Sequence, residues 1–345
     1  MQRIVTFGEL LLRLSKPGCY RLTQGERFNG NYGGSEANVA VALAQLGNDV
    51  EYITRVPDNA IGDAALMHLR EFGLDTSHIV RGGHRLGAYY FEAAAGLRNS
   101  KVSYDRANSS FYDIRPDDVP WTDVLRGATA FHSSGITCAV SQSALDTTMK
   151  AVETAHRLGV KVTCDINYRK NLWQYPGADA HATLNELMKN SDFIFGDQNE
   201  WETGSGVQHI PFTAQDAHYA IDRQAYTEYF EAMQQQFPHC RYMLMALRNQ
   251  LSSTHHVLTG VLWSQGRLYT TRIYDILPVI DPMGCGDAFV AAFIHALTVN
   301  SDIQHDLDFA ISASALKNTI PGDQNLVSRE EILANMTSSG GRIQR

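Results

Sequence analysis

The run Asp281-Pro282-Met283-Gly284-Cys285-Gly286-Asp287 stands between an extended segment and an apolar one, and that order limits the folds open to the chain. Upstream, Ile273-Tyr274-Asp275-Ile276-Leu277-Pro278-Val279-Ile280 mixes β-branched and aromatic residues with a proline, which predicts irregular extended chain. Downstream, Ala288-Phe289-Val290-Ala291-Ala292-Phe293-Ile294 is apolar throughout and reads as a buried helix. Extended chain, glycine turn and buried helix follow one another. Gly284 and Gly286 around one small residue let successive N–H groups turn toward a single point at a helix N-terminus, where unsatisfied donors and the helix dipole favour an anion. Asp287 then sets a carboxylate beside that point, able to take a proton from a hydroxyl attacking a bound phosphate. A second reading makes Asp281 and Asp287 helix caps and the glycines an entry turn. The heptapeptide by itself supports both.

The chain has 345 residues, long enough for one large α/β domain or two smaller ones with a sizeable core. A net charge of −8 and the lack of a long basic run argue against nucleic acid as the main partner, so an acidic ligand would need a local cluster of Arg or Lys. Cys19, Cys138, Cys164, Cys240 and Cys285 are odd in number, scattered and free of CxxC pairs, which predicts reduced thiols in a cytoplasm. The first residues read as a strand rather than a signal peptide. No run approaches the ~18 apolar residues of a membrane span.

Along the chain, short apolar segments alternate with helical ones. Ile4 to Phe7, Val50 to Val56, Ala128 to Gly135, Val160 to Asp165, Asp192 to Gly196, Tyr242 to Leu247 and Gly260 to Trp263 read as strands. Helices are expected at Val39 to Gly47, from Ala60 to Gly73, at Ser141 to Leu158, at Ala180 to Lys189 and from Arg223 to Gln236. Such alternation predicts a mostly parallel sheet covered on both faces. Residues 84–106 break the pattern with two strands, Gly87 to Ala93 and Lys101 to Tyr104, joined by a glycine-containing loop. Gly204 to Ala220 is irregular and polar, and has the character of an insertion. No composition break divides residues 1–335, and residues 336–345 are expected to be a flexible tail.

Two separated motifs carry a resemblance. The heptapeptide is similar to the C-terminal signature of the ribokinase-like, or phosphofructokinase-B, carbohydrate kinases, although Cys285 stands where Ala, Gly or Ser is usual. Gly33-Gly34 with Asn38 one helical turn later resembles the N-terminal signature of the same family. The resemblance implies a three-layer α/β sandwich with a small β-sheet lid, here about residues 10–31 and 84–106, that excludes water from the transferring phosphate. It implies Asp287 as catalytic base, the amides of Gly284, Cys285 and Gly286 as anion hole, and Gly33, Gly34 and Asn38 as sugar contacts. ATP and Mg²⁺ are the implied cofactors. Asn199 and Glu202 match an Asn-x-x-Glu element that organises Mg²⁺ and its waters, as suits a hard cation with few carboxylate ligands. Arg248 is a candidate for phosphate oxygens or equally a surface residue, and Asn318 falls where the family borders its adenine pocket. A K⁺ or other monovalent cation site made partly of carbonyls near Asp275 and Gly322 is implied by resemblance only.

The stretch Asp165-Ile166-Asn167-Tyr168-Arg169 bears on the acceptor. Strand alternation would direct Asp165, Asn167 and Arg169 to one side, and an Arg fork is the natural partner of a carboxylate. Arg106 and Tyr104 in the lid, with Tyr89, extend that set, although either Arg could pair instead with an Asp of the protein. Asp-x-Asn-x-Arg-x-x-Leu-Trp, Tyr104-x-Arg106, Gly8-Glu9 and Ala315-Leu316-Lys317-Asn318 together resemble the 2-keto-3-deoxygluconate kinases. That branch implies phosphorylation of the C6 hydroxyl of a keto-deoxy sugar acid. A kinase for a neutral sugar such as fructose or ribose, one for another keto-deoxy acid, and a catalytically silent sugar-binding protein are the competing readings. An exposed lid edge makes a dimer the expected assembly.

Overall fold

The structure, a computed structural model, describes residues 2–299 and 302–337. Its centre is a nine-stranded sheet. Asp49–Ile53, Arg3–Phe7, Ala130–Ser134, Lys161–Asp165, Phe193–Gly196 and Tyr242–Ser252 run parallel in that spatial order. His255–Ser264 and Arg267–Thr270 then continue antiparallel, and Tyr274–Ile276 also pairs with His255–Ser264. The parallel strands are rich in Val, Ile and Phe and buried on both faces, as sheets covered by crossover helices must be.

One helical layer contains Ser35–Gln45, Ala60–Glu71, Cys285–Val299, Ile303–Lys317 and Arg329–Thr337, and the other contains Gln142–Leu158, Ala180–Lys189, Gln198–Ser205 and Arg223–Gln236. Of the residues expected to form the tail, 336–337 end a helix, and 338–345 lie outside the described residues. A separate four-stranded sheet, in the order Asn29–Gly33, Leu11–Ser15, Gly87–Glu92, Lys101–Asp105, forms the lid. Its inner face packs Leu11, Tyr89 and Phe91 with Tyr104 against Met283 of the glycine turn.

Several boundaries differ from the sequence expectation. Tyr242–Ser252 and His255–Ser264 form a hairpin longer than the two strands predicted, because its polar outer half (Arg248 to Ser252) is held by ladder pairing rather than by an apolar pattern. Residues 198–205, which follow the strand ending at Gly196, are helical, opened by an Asp197–Glu200 capping box, and so the helix takes in the first residues of the segment Gly204 to Ala220 expected to be irregular. The irregular segment after Gly206 is not merely solvated: Phe212 and Ala214 are buried, and the Ala214 carbonyl accepts from Asn249 Nδ2 at 2.9 Å.

Cys285–Val299 is apolar all round because it is enclosed by the sheet and by helices Ser35–Gln45 and Ile303–Lys317. Phe195 of the sheet meets Phe289 and Phe293 edge to face, at ring-centroid distances of 6.2 and 5.9 Å. Truncating Phe195→Ala is expected to destabilise the protein by about 3–5 kcal/mol through cavity formation beneath the glycine turn. Chemical denaturation is the measurement, and a loss below about 1 kcal/mol would contradict this packing account.

Candidate active site

The C-terminal ends of Arg3–Phe7, Ala130–Ser134, Lys161–Asp165 and Phe193–Gly196 open together, where the order reverses between the first strand and its two neighbours, and ligands of α/β sheets bind at such an edge. A cavity of about 500 Å³ lies there, with the lid on one side and the long hairpin on the other.

The glycine turn enters this cavity. Gly284 has φ +78°, and a Cβ placed on it would lie 1.8 Å from the Asp323 carbonyl oxygen, so the backbone fits only without a side chain. A Cβ on Gly286 would meet nothing within 4 Å, which leaves its approach to the cavity open. The helix starts at Cys285, and its opening N–H groups have no partner one turn earlier within the helix. Cys285 N–H turns back toward the Pro282 carbonyl at 3.4 Å.

Asp287 stands in the first turn of that helix. Its carboxylate accepts from Ser35 Oγ at 3.0 Å and from Asn38 Nδ2 at 2.7 Å. Burial, with help from nearby Glu36 and Asp323, pushes its pKa up to about 7, against the two hydrogen bonds that lower it. That value suits a group that must be ionised at neutral pH yet accept a proton. Ser35 in turn accepts from Asn167 Nδ2 at 2.7 Å, so the helix entry, the carboxylate and the 166–170 loop form one chain of hydrogen bonds. Gly34 is required by close approach: a Cβ there would lie 2.2 Å from the Glu9 carbonyl oxygen. Asn38 orients Asp287 directly, a role beyond the sugar contact implied by the resemblance.

Asp165, Asn167 and Arg169 all line the cavity, but not through strand alternation. The strand stops at Asp165, and Asn167 turns the chain with φ +41°, a backbone region that Asn tolerates better than most residues. Arg169 pairs with Glu200 at 3.0 Å and keeps a side chain 43% exposed. Burial raises the pKa of Asp165, and the neighbouring charges of Glu200 and Asp287 add to it. From the lid, Tyr89, Tyr104 and Arg106 line the same space. Arg106 donates through Nε to Glu9 at 2.5 Å, while its buried Nη1 has no partner among the described residues. Asn167 Oδ1 is likewise buried and without a partner.

Asn199, Arg248, His256, Leu258, Cys285 and Phe289 also line the cavity. Arg248 Nη1 lies 3.7 Å from Cys285 Sγ. His256 is buried and lowered to about 4 by burial and by Arg248, so it is neutral at ordinary pH.

Four expected site residues lie off the cavity wall. Glu202 instead pairs with His209, because the helix over 198–205 turns it away, whereas Glu200 two residues earlier faces inward. Asp275 is taken by His255 Nε2 at 2.6 Å on a partly exposed edge. Asn318 is buried at the end of Ile303–Lys317, bonded through Nδ2 to Ser314 O at 2.8 Å, behind Ser314 of the wall. Gly33 closes a lid strand, where a Cβ would press on the Asp323 carboxylate at 2.8 Å. Among the described residues, no three His, Cys, Asp or Glu side chains converge as a metal-ligand cluster.

The sequence reading gave Ser35, Glu200, Arg13, Lys317 and Asp323 no role of their own, and Asp281 only that of a helix cap. Ser35 had a signal, standing between a glycine pair and Asn38. Arg13, alone in Leu11-Leu12-Arg13-Leu14, and Lys317, closing an apolar helix, had the weaker one of a charge in apolar company.

An anion-receptive helix entry touching an elevated carboxylate, beneath a β-sheet lid, defines a phosphotransferase acting on an alcohol. The model of the pfkB family of carbohydrate kinases matches residues 1–231, and the chain belongs to that family. It is 28% identical over 343 residues, 99% of each chain, to a 2-dehydro-3-deoxygalactonokinase of Haloferax volcanii. To a 2-dehydro-3-deoxygluconokinase of Thermoproteus tenax it is 30% identical over 94% of this chain and 90% of that one. The crystal structure of a 2-dehydro-3-deoxygluconokinase from Thermotoga maritima superposes with a TM-score of 0.90 at 36% identity, covering 98% of both chains. The protein is an ATP-dependent carbohydrate kinase with the ribokinase-like fold. No helix among the described residues is long and apolar enough to cross a membrane.

If ionised Asp287 is the proton acceptor, kcat/KM is expected to fall about tenfold per pH unit below about 7. The Asn38→Ala enzyme loses a bond that lowers this pKa, so its acid limb should move to higher pH. A pH–rate profile unchanged by Asn38→Ala would refute the orienting role.

Proposed function

We propose that the protein transfers the γ-phosphoryl group of ATP to the C6 hydroxyl of 2-keto-3-deoxygluconate, giving the 6-phosphate and ADP. The observation that carries the acid as substrate is the pair of arginines, Arg106 from the lid and Arg169 from the 166–170 loop, that line the same cavity as Asp287. Arg106 Nη1 in particular is a buried donor without a partner among the described residues, and a substrate carboxylate would satisfy it. Tyr89, Tyr104, Asp165 and Asn167 supply hydroxyl, carboxylate and amide groups for the sugar oxygens.

In this reading the lid covers the acid and Asp287 accepts the C6 hydroxyl proton as that oxygen bonds to the γ-phosphorus. The bond to the β-phosphate oxygen breaks and ADP leaves. Charge building on the phosphoryl oxygens is met by the N–H groups at the start of Cys285–Val299 and by Arg248. Mg²⁺, when bound with ATP, adds positive charge against the phosphate oxygens. Asn199 with the inward carboxylates of Asp165 and Glu200 is the set that fits a hydrated Mg²⁺, since their mutual repulsion in a buried wall is what a cation relieves.

The test is ADP production against 2-keto-3-deoxygluconate, its galacto epimer, gluconate, fructose and ribose in parallel. Preference for a keto-deoxy acid is expected, and preference for fructose or ribose would sink the acid reading while keeping the kinase. Arg169→Ala should raise KM about tenfold for the acid and little for a neutral sugar. Asp287→Asn should lower kcat on the order of a thousandfold with the melting temperature retained; near-normal turnover would remove it as the base.

A further inference from the structure

The family resemblance implies a monovalent cation held partly by carbonyls near Gly322, and the structure puts a side chain there. Lys317 is fully buried, and its Nζ donates to the carbonyl oxygens of Asp281 at 3.2 Å and Ile320 at 3.0 Å. These carbonyls belong to the two turns that meet behind the anion hole: the turn leading into Gly284 and the Pro321-Gly322 turn. Asp281 is the hub of the first. Its Oδ1 accepts from Met283 N–H at 3.0 Å, and its Oδ2 accepts from Gly322 N–H at 3.0 Å and Arg13 Nη2 at 2.6 Å. Arg13 Nη1 is also 3.4 Å from Asp323 Oδ2, and Tyr89 Oη donates to Oδ1 of the same carboxylate.

The charges in this cluster balance. Arg13 and Lys317 face Asp281 and Asp323, and all four are at least 95% buried. Burial draws the ammonium's pKa down, while Asp281, Cys285 and Asp323 oppose that and Arg13 reinforces it. A K⁺ ion is recognised by backbone carbonyls that replace its water shell. Here the carbonyls are already acceptors for an ammonium, a compact charge with several donors. A third cation would leave a buried cluster with excess positive charge, which is costly without a new anion.

We propose that Lys317 is the resident cation of the anion-hole turn, holding the 281–284 and 320–322 turns together so that phosphoryl transfer needs no K⁺. Lys317 is a positioning residue: it acts through Asp281 O on the backbone that carries Gly284 to Gly286. The proposal rests on the kinase reading but not on which sugar is the acceptor.

Two measurements test it. With Mg²⁺ present and ionic strength held constant, kcat should change by less than about twofold when KCl is replaced by tetramethylammonium chloride, a cation too large for a carbonyl cage. Activation by K⁺ of about fivefold or more would overturn the proposal. In the ligand-free protein, the wild-type melting temperature should likewise be the same in the two salts, whereas specific binding of K⁺ would raise it and overturn the proposal. This second readout stands even if every sugar tried proves inert, an outcome that would count against the substrate reading alone. For Lys317→Ala, turnover should fall about tenfold or more and be partly restored by K⁺ or methylammonium but not by tetramethylammonium. Wild-type turnover in that variant, or a loss that no small cation restores, would overturn the role of the charge. If the variant does not fold, the wild-type salt series decides.

Discussion

The buried contact between the 281–284 turn and the 320–323 turn is the constraint on which the rest of the site depends. Gly284 lies so close to the Asp323 carbonyl that no side chain fits, and Asp281 binds the Met283 and Gly322 amides at once. A backbone so placed has its conformation set by partners far away in sequence. The helix that follows then begins at Cys285, and Cys285 and Gly286 line the cavity. Were the turn to relax, these residues and Asp287 would move together, since all stand on the first turn of one buried helix.

The same cluster ties the lid to the chemistry. Arg13 and Tyr89 come from two lid strands, and both end on carboxylates of the glycine-turn region. The guanidinium of Arg13 also lies 4.3 Å from the centre of the Phe91 ring, within the lid. The lid is thus anchored at its inner face by charge pairs shielded from water, where breaking one partner away from the other is costly. Its outer strand, Lys101–Asp105, is mostly exposed and carries Tyr104 and leads to Arg106. Tyr104 on that strand and Arg106 just after it line the cavity, with Arg106 held by Glu9.

Around Asp287 the arrangement separates two tasks. Burial and nearby carboxylates raise its proton affinity, while Ser35 and Asn38 hold its orientation and limit the rise. Asp165 and Glu200 form a second carboxylate group that also holds protons more tightly than usual, next to Arg169. Two acidic groups thus share one cavity, one beside the helix entry and one beside the loop of Arg169.

The alternation of strands and helices, the lid hairpin and the two glycine motifs were legible in the sequence because each rests on local chemistry: hydrophobic period, turn residues and helix starts. The choice of Asp287 as a candidate base was legible for the same reason, being adjacent to its glycine turn. What only the tertiary structure decided is which charges meet. Glu200 rather than Glu202 faces the cavity because a capping box sets a helix phase that the Asn-x-x-Glu spacing does not reveal. Arg106 is bound to Glu9, 97 positions away, and Arg13 to Asp281, 268 positions away, pairs that no local pattern encodes. Lys317 stood in the sequence only within the run Ala315-Leu316-Lys317-Asn318, and folding brought two turns around its ammonium. Residue types and periodicity act over a few positions, whereas the placement of a buried charge is set by the whole enclosure that must compensate it.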